Sequence, residues 1–306
     1  MPPTDPHEPL ASAPPELQRL MAEVGPLWAS HPAKYSDLVK NAYLPLQLQG
    51  PREGVTVRRD LPYGTHPRQR LDLFLPAGTQ GAPVLLFVHG GAFVRGDKTV
   101  NEGMYDNVLV WFARQGYIGI NVEYRLAPEA PYPGGADDVA GAVQWAHAHA
   151  AAYGGDPERL FLVGHSAGGT HAASYAFDPA LPYLGARLRG LALISARLRA
   201  DTLAENPNAH GVLAYFGADD SLYEARSPVS HAAACPLPVF IACAEFENPL
   251  LDMYSLELAH RLAMARRRAP PFLRLRKHNH ISMMAHFNTG EEILGRELVN
   301  FFQTVD

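Results

Sequence analysis

The chain has 306 residues, 47% hydrophobic and 19% charged, with a formal charge of −5 and a pI near 6.3. That is enough for one large α/β domain or two small ones, and the acidic balance argues against nucleic acid as a default partner. Two cysteines, Cys235 and Cys243, exclude a disulfide framework. The first thirty residues are proline-rich and lack a basic start before an apolar core, so no secretory signal is read there. No apolar stretch is long enough to span a bilayer, and a soluble cytoplasmic protein is the resulting expectation.

Residues 1 to about 50 carry weak helical patterns broken by prolines, and the first dozen positions read as disordered. Gly54 to Asp60 and Gln69 to Leu75 read as strands, joined antiparallel through a turn-forming Pro-Tyr-Gly-Thr-His-Pro segment. Val84 to Val88 is a continuous apolar run, the pattern of a strand buried on both faces. Directly after it stands His89-Gly90-Gly91-Ala92-Phe93. Met104, Val108, Trp111 and Phe112 recur at helical spacing, Tyr117 to Val122 reads as a strand, and Val139, Val143, Ala146 and Ala150 mark the inward stripe of a helix. The apolar run Arg159 to Val163 leads into Gly164-His165-Ser166-Ala167-Gly168, and a helix through Thr170 and Tyr175 follows. Leu191 to Ser195 and Val239 to Cys243 are two further strands. The stretch between them, about 199 to 234, is too long for a simple connection and carries Tyr215, Phe216 and Tyr223; it reads as a cap or as a surface excursion with small helices. Leu250 to Arg268 is a helix, Phe272 to Arg276 a last strand, and Glu291 to Phe302 a closing helix with Ile293, Leu294, Leu298 and Phe301 inward. This alternation is the pattern of a mainly parallel sheet wrapped by helices.

A Gly-x-Ser-x-Gly pentapeptide between a strand and a helix reads as a nucleophile elbow, in which a tight turn lifts the serine above the sheet and only small neighbours fit. An acyl-transfer serine also needs oxyanion donors, a base and an orienting acid. The paired glycines Gly90 and Gly91 let backbone N–H groups approach a substrate oxygen, and Ala167 adds the N–H after the nucleophile. Since the partners of such an elbow run Ser, acid, His, the base falls at His278-Asn279-His280 after the last strand, with His280 the choice and His278 the alternative. A metal reading of this His-x-His pair lacks an accompanying carboxylate or cysteine cluster. His286 reads as a helix-face residue. After the strand ending at Cys243 stand three acid candidates, Glu245, Glu247 and Asp252.

These motifs resemble the α/β-hydrolases of the hormone-sensitive-lipase-like esterase group, with leanings toward small carboxylesterases and kynurenine-formamidase-like enzymes. The resemblance is carried by His89 to Phe93, Tyr124-Arg125-Leu126-Ala127-Pro128-Glu129, Asp137-Asp138, Gly164 to Gly169, Ser227-Pro228 and His280, and covers roughly residues 54 to 305. It implies an α/β-hydrolase fold with a mostly parallel eight-stranded sheet flanked by helices. Residues 1–53 are then an N-terminal extension and partial cap, residues 54–306 the catalytic domain, and about 199–234 a cap or insertion. Ser166 becomes the nucleophile, His280 the base, and Gly90, Gly91 and Ala167 the oxyanion donors. The segment from Tyr124 to Asp138 becomes a brace near the glycine loop. The family's Ala-Glu-Phe-Asp-Pro-Leu is matched by Ala244-Glu245-Phe246-Glu247-Asn248-Pro249-Leu250, which puts Glu247 at the acid position and makes Asn248 look inserted; Asp252 and Glu245 remain the alternatives.

The implied function is hydrolysis of small to medium apolar carboxylic esters through an acyl-enzyme, with no metal or organic cofactor. Phe93, His165, Tyr215 and Phe216 are the candidates to line the substrate pocket. An arylformamidase or amidase would use the same machinery, with Trp28, Tyr35, Tyr43, Phe93 and Phe177 as an aromatic pocket. A hydrolase-fold binding protein is the reading from another class, and the retained serine, histidine and glycines argue against it. The partner is a small-molecule ester; an edge strand or the closing helix offers a surface for a homodimer, which nothing in the sequence requires.

Overall fold

The computed structural model describes residues 8–306. Eight strands run β1 (Val55–Pro62), β2 (Arg70–Pro76), β3 (Ala82–Val88), β4 (Ile118–Val122), β5 (Gly155–His165), β6 (Leu188–Ile194), β7 (Val239–Phe246) and β8 (Phe272–Asn279). They form one sheet in the order β1-β2-β4-β3-β5-β6-β7-β8. β2 pairs antiparallel with β1 and with β4, and every pairing from β4 to β8 is parallel. Between and around the strands stand α1 (Pro15–Val24), α2 (Pro32–Gln49), α3 (Asp106–Arg114), α4 (Gly134–His149), α5 (Ala167–Phe177), α6 (Ala209–Phe216), α7 (Tyr223–Arg226), α8 (Leu251–Arg266), α9 (Ser282–Ala285) and α10 (Ile293–Val305).

The continuous apolar strands are explained by two helical layers. Val84, Leu86 and Val88 of β3 face a core shared with α4, α5 and α8. Leu85 and Phe87, one residue out of phase, face a second core shared with α1, α2, α3 and α10. Alternate side chains of a strand point to opposite faces, so a strand covered on both sides must be apolar throughout. All the helix stripes read from the sequence turn inward, although Ile293 is only half-buried.

The N-terminal region differs from its sequence reading. The prolines that read as breakers instead open helices: Pro15 and Pro32 stand at the first positions of α1 and α2, where a missing N–H costs nothing. Pro45 lies within α2, which continues past it. Of the dozen positions read as disordered, 1–7 lie outside the described residues, and Pro9 and Leu10 are buried, the Leu10 N–H donating to Glu291 Oε2 at 3.0 Å. Among the described residues, no helix is long and apolar enough to cross a membrane.

The carboxyl ends of β3, β5, β6, β7 and β8 share one edge of the sheet, so their following loops converge there. The segment after β4 supports that edge. Tyr124 donates its hydroxyl to His89 O at 3.0 Å and stacks on the His89 ring, with centroids 4.3 Å apart. Ala127 N–H donates to Phe93 O at 3.0 Å. Arg125 is held in turn by Asp138, whose buried carboxylate accepts the Arg125 N–H at 2.7 Å, its Nε at 2.9 Å, and Gln69 Nε2 at 2.8 Å. Asp138 is fully buried and Arg125 half-buried, so removing the carboxylate leaves the Arg125 N–H and guanidinium and the Gln69 amide without their acceptor. Asp138→Ala is therefore expected to lower the unfolding free energy by about 3 kcal/mol in urea titration; a loss below about 0.5 kcal/mol, the range of ordinary surface substitutions, would show that the brace is dispensable.

Candidate active site

β5 runs straight into Ser166, which has φ 56° and ψ −121°. That backbone conformation is costly for any residue with a Cβ, and it holds only because its surroundings leave no alternative. Its N–H donates to Ile194 O at 3.0 Å, and its carbonyl accepts from Arg197 N–H at 3.2 Å, so β6 grips it from the side. The glycines nearby are dictated by space. A Cβ on Gly164 would lie 2.7 Å from Gly168 O, one on Gly168 would lie 2.2 Å from Val88 O, and one on Gly169 would lie 2.4 Å from the Ala196 Cβ. β5, α5 and the end of β3 thus approach to backbone contact. The residues either side of Ser166 are buried, and Ser166 itself is only half-buried.

The glycine loop lies against the serine. A Cβ on Gly90 would come within 3.0 Å of the Ser166 Cβ. Gly91, Ala92 and Phe93 all have positive φ, and a side chain on Gly91 would strike Arg95 O at 1.8 Å. Ala167 opens α5, so its N–H has no partner within that helix and lies at the positive end of its dipole. Gly90 N–H is engaged by the Tyr105 hydroxyl at 3.3 Å, a contact that nothing in the sequence signals.

The third group comes from the loops after β7 and β8. His280 Nδ1 lies 2.5 Å from Glu247 Oε1, with both residues buried. The carboxylate also accepts Asn248 N–H at 2.8 Å and Ala244 N–H at 3.2 Å. Burial alone would push the Glu247 carboxyl up, but the attraction and hydrogen bond of His280, with the Asn248 amide, hold it below the usual carboxylate range. His165, the neighbour of Ser166, reaches the same histidine: its Nε2 lies 3.1 Å from His280 O and the two rings are 4.8 Å apart.

The structure brings Ser166, Gly90, Gly91, Ala167, His280 and Glu247 to one edge of the sheet. It places the other acid candidates elsewhere. Glu245 accepts the Lys277 N–H at 2.6 Å, and Asp252 accepts the Met253 N–H at 2.9 Å at the start of α8. His278 turns inward, with Nδ1 3.0 Å from Ser282 Oγ and Nε2 3.0 Å from Glu291 Oε1. The His-x-His pair is thus split between two carboxylates. His286 is buried at the end of α9 with its ring on Phe287, and burial lowers its pKa to about 4.

The four pocket candidates are all buried. Phe93, Tyr215 and Phe216 are buried against each other, with Phe93 and Tyr215 stacked at 4.8 Å. They share an apolar cluster with Ala167 and Val212, and α6 lies so close to the glycine loop that a Cβ on Gly211 would be 2.1 Å from Ala92 O. His165 is likewise buried, bridging Tyr105 and His280, and burial drives its pKa well down, so its ring is neutral. Aromatic residues gain so much from burial that sequence alone does not tell a packed ring from a substrate-facing one.

The family model BD-FAE matches residues 71–183, the stretch from β2 through the serine turn to just past the end of α5. The Mycobacterium tuberculosis esterase LipI is 38% identical over 138 residues, 38% of this chain and 41% of its own length. Carboxylesterase NlhH of the same organism is 34% identical over 142 residues, 44% of this chain and 42% of its own. The chain thus spans less than half the length of these curated relatives. The esterase from Pyrobaculum calidifontis superposes with a TM-score of 0.72 at 20% identity, covering 95% of this chain and 99% of that one. A bacterial heroin esterase superposes at 0.67 with 23% identity, covering 94% and 98%.

Glu291 yields a pH prediction. Burial would raise its carboxyl, but the hydrogen bond and attraction of the His278 ring outweigh burial and hold it at about 2, from an ordinary 4.5. A depressed carboxyl contributes stability in full above its ordinary value and loses it as pH falls through the folded value. The shift corresponds to about 3 kcal/mol. Wild-type stability is therefore expected to fall steeply from roughly pH 5 to pH 2, and Glu291→Gln to be less stable near neutrality with a flatter profile; equal slopes in urea titrations would refute the assignment. By its eight-stranded architecture, and by the similarity of its central third to esterases, the chain has the α/β-hydrolase fold.

Proposed function

We propose that the protein is a carboxylesterase in which Ser166 is the nucleophile, His280 the base and Glu247 the orienting acid. The observation that carries this reading is the 2.5 Å contact of His280 Nδ1 with a buried Glu247 carboxylate, on the same sheet edge as a serine held at positive φ. Glu247 accepts the Nδ1 proton, which leaves Nε2 to take the proton from Ser166 Oγ as the oxygen attacks the ester carbonyl. The developing oxyanion receives the Ala167 and Gly91 N–H groups, and the Gly90 N–H once it leaves the Tyr105 hydroxyl. His280 gives the proton to the leaving alcohol, then takes one from the water that attacks the acyl-enzyme and returns it to Ser166.

Esterase and carboxylesterase relatives support an ester as the substrate. The apolar cluster around Ala167 favours small to medium apolar acyl groups. Of the aromatics considered for an amide pocket, Trp28, Tyr35, Tyr43 and Phe177 are buried in the helical layers, so no observation raises the formamidase reading above the ester one. In this reading the 1–53 extension, of which 8–53 are described, and residues about 199–234 are partial caps over the 54–306 catalytic domain. Cys235 and Cys243, both buried and unpaired, suit a reducing cytoplasmic setting.

Turnover of a p-nitrophenyl ester tests the roles. Ser166→Ala is expected to lower kcat by roughly a million-fold and to abolish labelling by a fluorophosphonate. Glu247→Gln is expected to cost roughly a thousand-fold or more, with Asp252→Asn close to wild type. A serine variant that retains most of its activity, or the opposite ranking of the two acids, would sink the reading.

A further inference from the structure

Three positions of the N-terminal segment meet the residues that flank the acid and the base. Asn279, just before His280, donates from Nδ2 to Met21 Sδ at 3.7 Å. Phe246, just before Glu247, lies so close to Gly25 that a Cβ there would come within 2.4 Å of its ring. Asn248, just after Glu247, accepts at Oδ1 from Trp28 Nε1–H at 2.8 Å, and that bond is buried. Met21, Gly25 and Trp28 are spaced i, i+4, i+7 along the run of α1 and the 3-10 turn Gly25–Ser30, the spacing of one helical face.

We propose that this face is a positioning element, and that Trp28 acts through Asn248 to set the Glu247 carboxylate against His280. The Asn248 N–H donates at 2.8 Å to Glu247 Oε1, the same oxygen that His280 contacts at 2.5 Å. The orientation of the Asn248 backbone thus decides where that oxygen sits, and its side chain is tied down by Trp28. A glutamate needs such a tie more than an aspartate does, because its extra methylene adds a torsion that must be fixed before the carboxylate is placed. Asn248 is the residue by which this loop exceeds the pattern it resembles, so the longer acid and its tether occur together. Trp28 is buried and has a single N–H to give; without it Asn248 Oδ1 is left buried and unpaired, and the loop turns to find a partner.

The inference rests on the serine-esterase reading. Its test is Trp28→Phe, which keeps an aromatic ring and removes the donor, and Asn248→Leu, which removes the acceptor from the other side. Each is expected to lower kcat by roughly tenfold with KM unchanged, the cost of misplacing a catalytic group slightly. In a Glu247→Gln background the same Trp28→Phe change is expected to cost nothing further, because the carboxylate it places is gone. The strongly deshielded proton of the Nδ1–H···carboxylate contact, seen by NMR in wild type, should weaken in both variants. Wild-type kcat in Trp28→Phe, an unchanged proton signal, a rise in KM alone, or an equal tenfold loss on top of Glu247→Gln would each overturn the proposal while wild type still turns over ester. Absence of ester turnover and of fluorophosphonate labelling in wild type would overturn the underlying esterase reading instead.

Discussion

Everything at the sheet edge depends on one steric constraint: the end of β5 must turn into α5 within a space that admits no Cβ two residues either side of the serine. Gly168 lies against the carbonyl of Val88, Gly164 against Gly168, and Gly169 against Ala196. This crowding fixes three strands and a helix relative to one another at backbone contact, where a shift of a few tenths of an ångström is resisted by hard atoms rather than by flexible side chains. The strain at Ser166 is one result, and the close approach of the glycine loop to the serine is the other. A serine placed by side-chain packing would inherit the freedom of those side chains; this one inherits the stiffness of the sheet.

His280 and Glu247 are held by a different principle. They stand on loops after β7 and β8, and their geometry comes from buried polar contacts: Asn248 and Ala244 amides on Glu247, His165 on the His280 carbonyl, and the His278–Ser282–Glu291 chain behind them. Each such bond is worth little net, yet leaving any of these groups unpaired in the interior is costly, so the set is cooperative. Ser282, His278 and Glu291 form a buried chain beside them, and Glu291 fastens it to the Leu10 N–H.

The strands and the glycine positions were legible in the sequence because both obey local rules. Continuous apolar runs such as Val84 to Val88 have one structural explanation, and Gly-x-Ser-x-Gly is written by sterics within five residues. The resemblance placed Glu247 as acid, whereas residue-level reading alone left Glu245 and Asp252 standing, since only the path of the loop decides which side chain faces His280. The prolines of the first fifty residues misled, because the same ring that breaks a helix interior suits a helix start. Tyr105, held at φ 77° with its hydroxyl on Gly90, was beyond reach: its partner is set by tertiary packing. The aromatics Phe93, Tyr215 and Phe216 were found as a group but not as a packed stack.

The N-terminal contacts also carry a consequence for the order of events during synthesis. Trp28 and Asn248 are 220 residues apart, Met21 and Asn279 are 258 apart, and Leu10 and Glu291 are 281 apart. A ribosome releases α1 and α2 long before the strands they dock on exist, so their apolar faces must wait exposed or be sheltered by other proteins. Contacts of such separation raise the contact order and slow folding. The loops that carry Glu247 and His280 follow the last two strands, so their N-terminal supports are made first and engaged last.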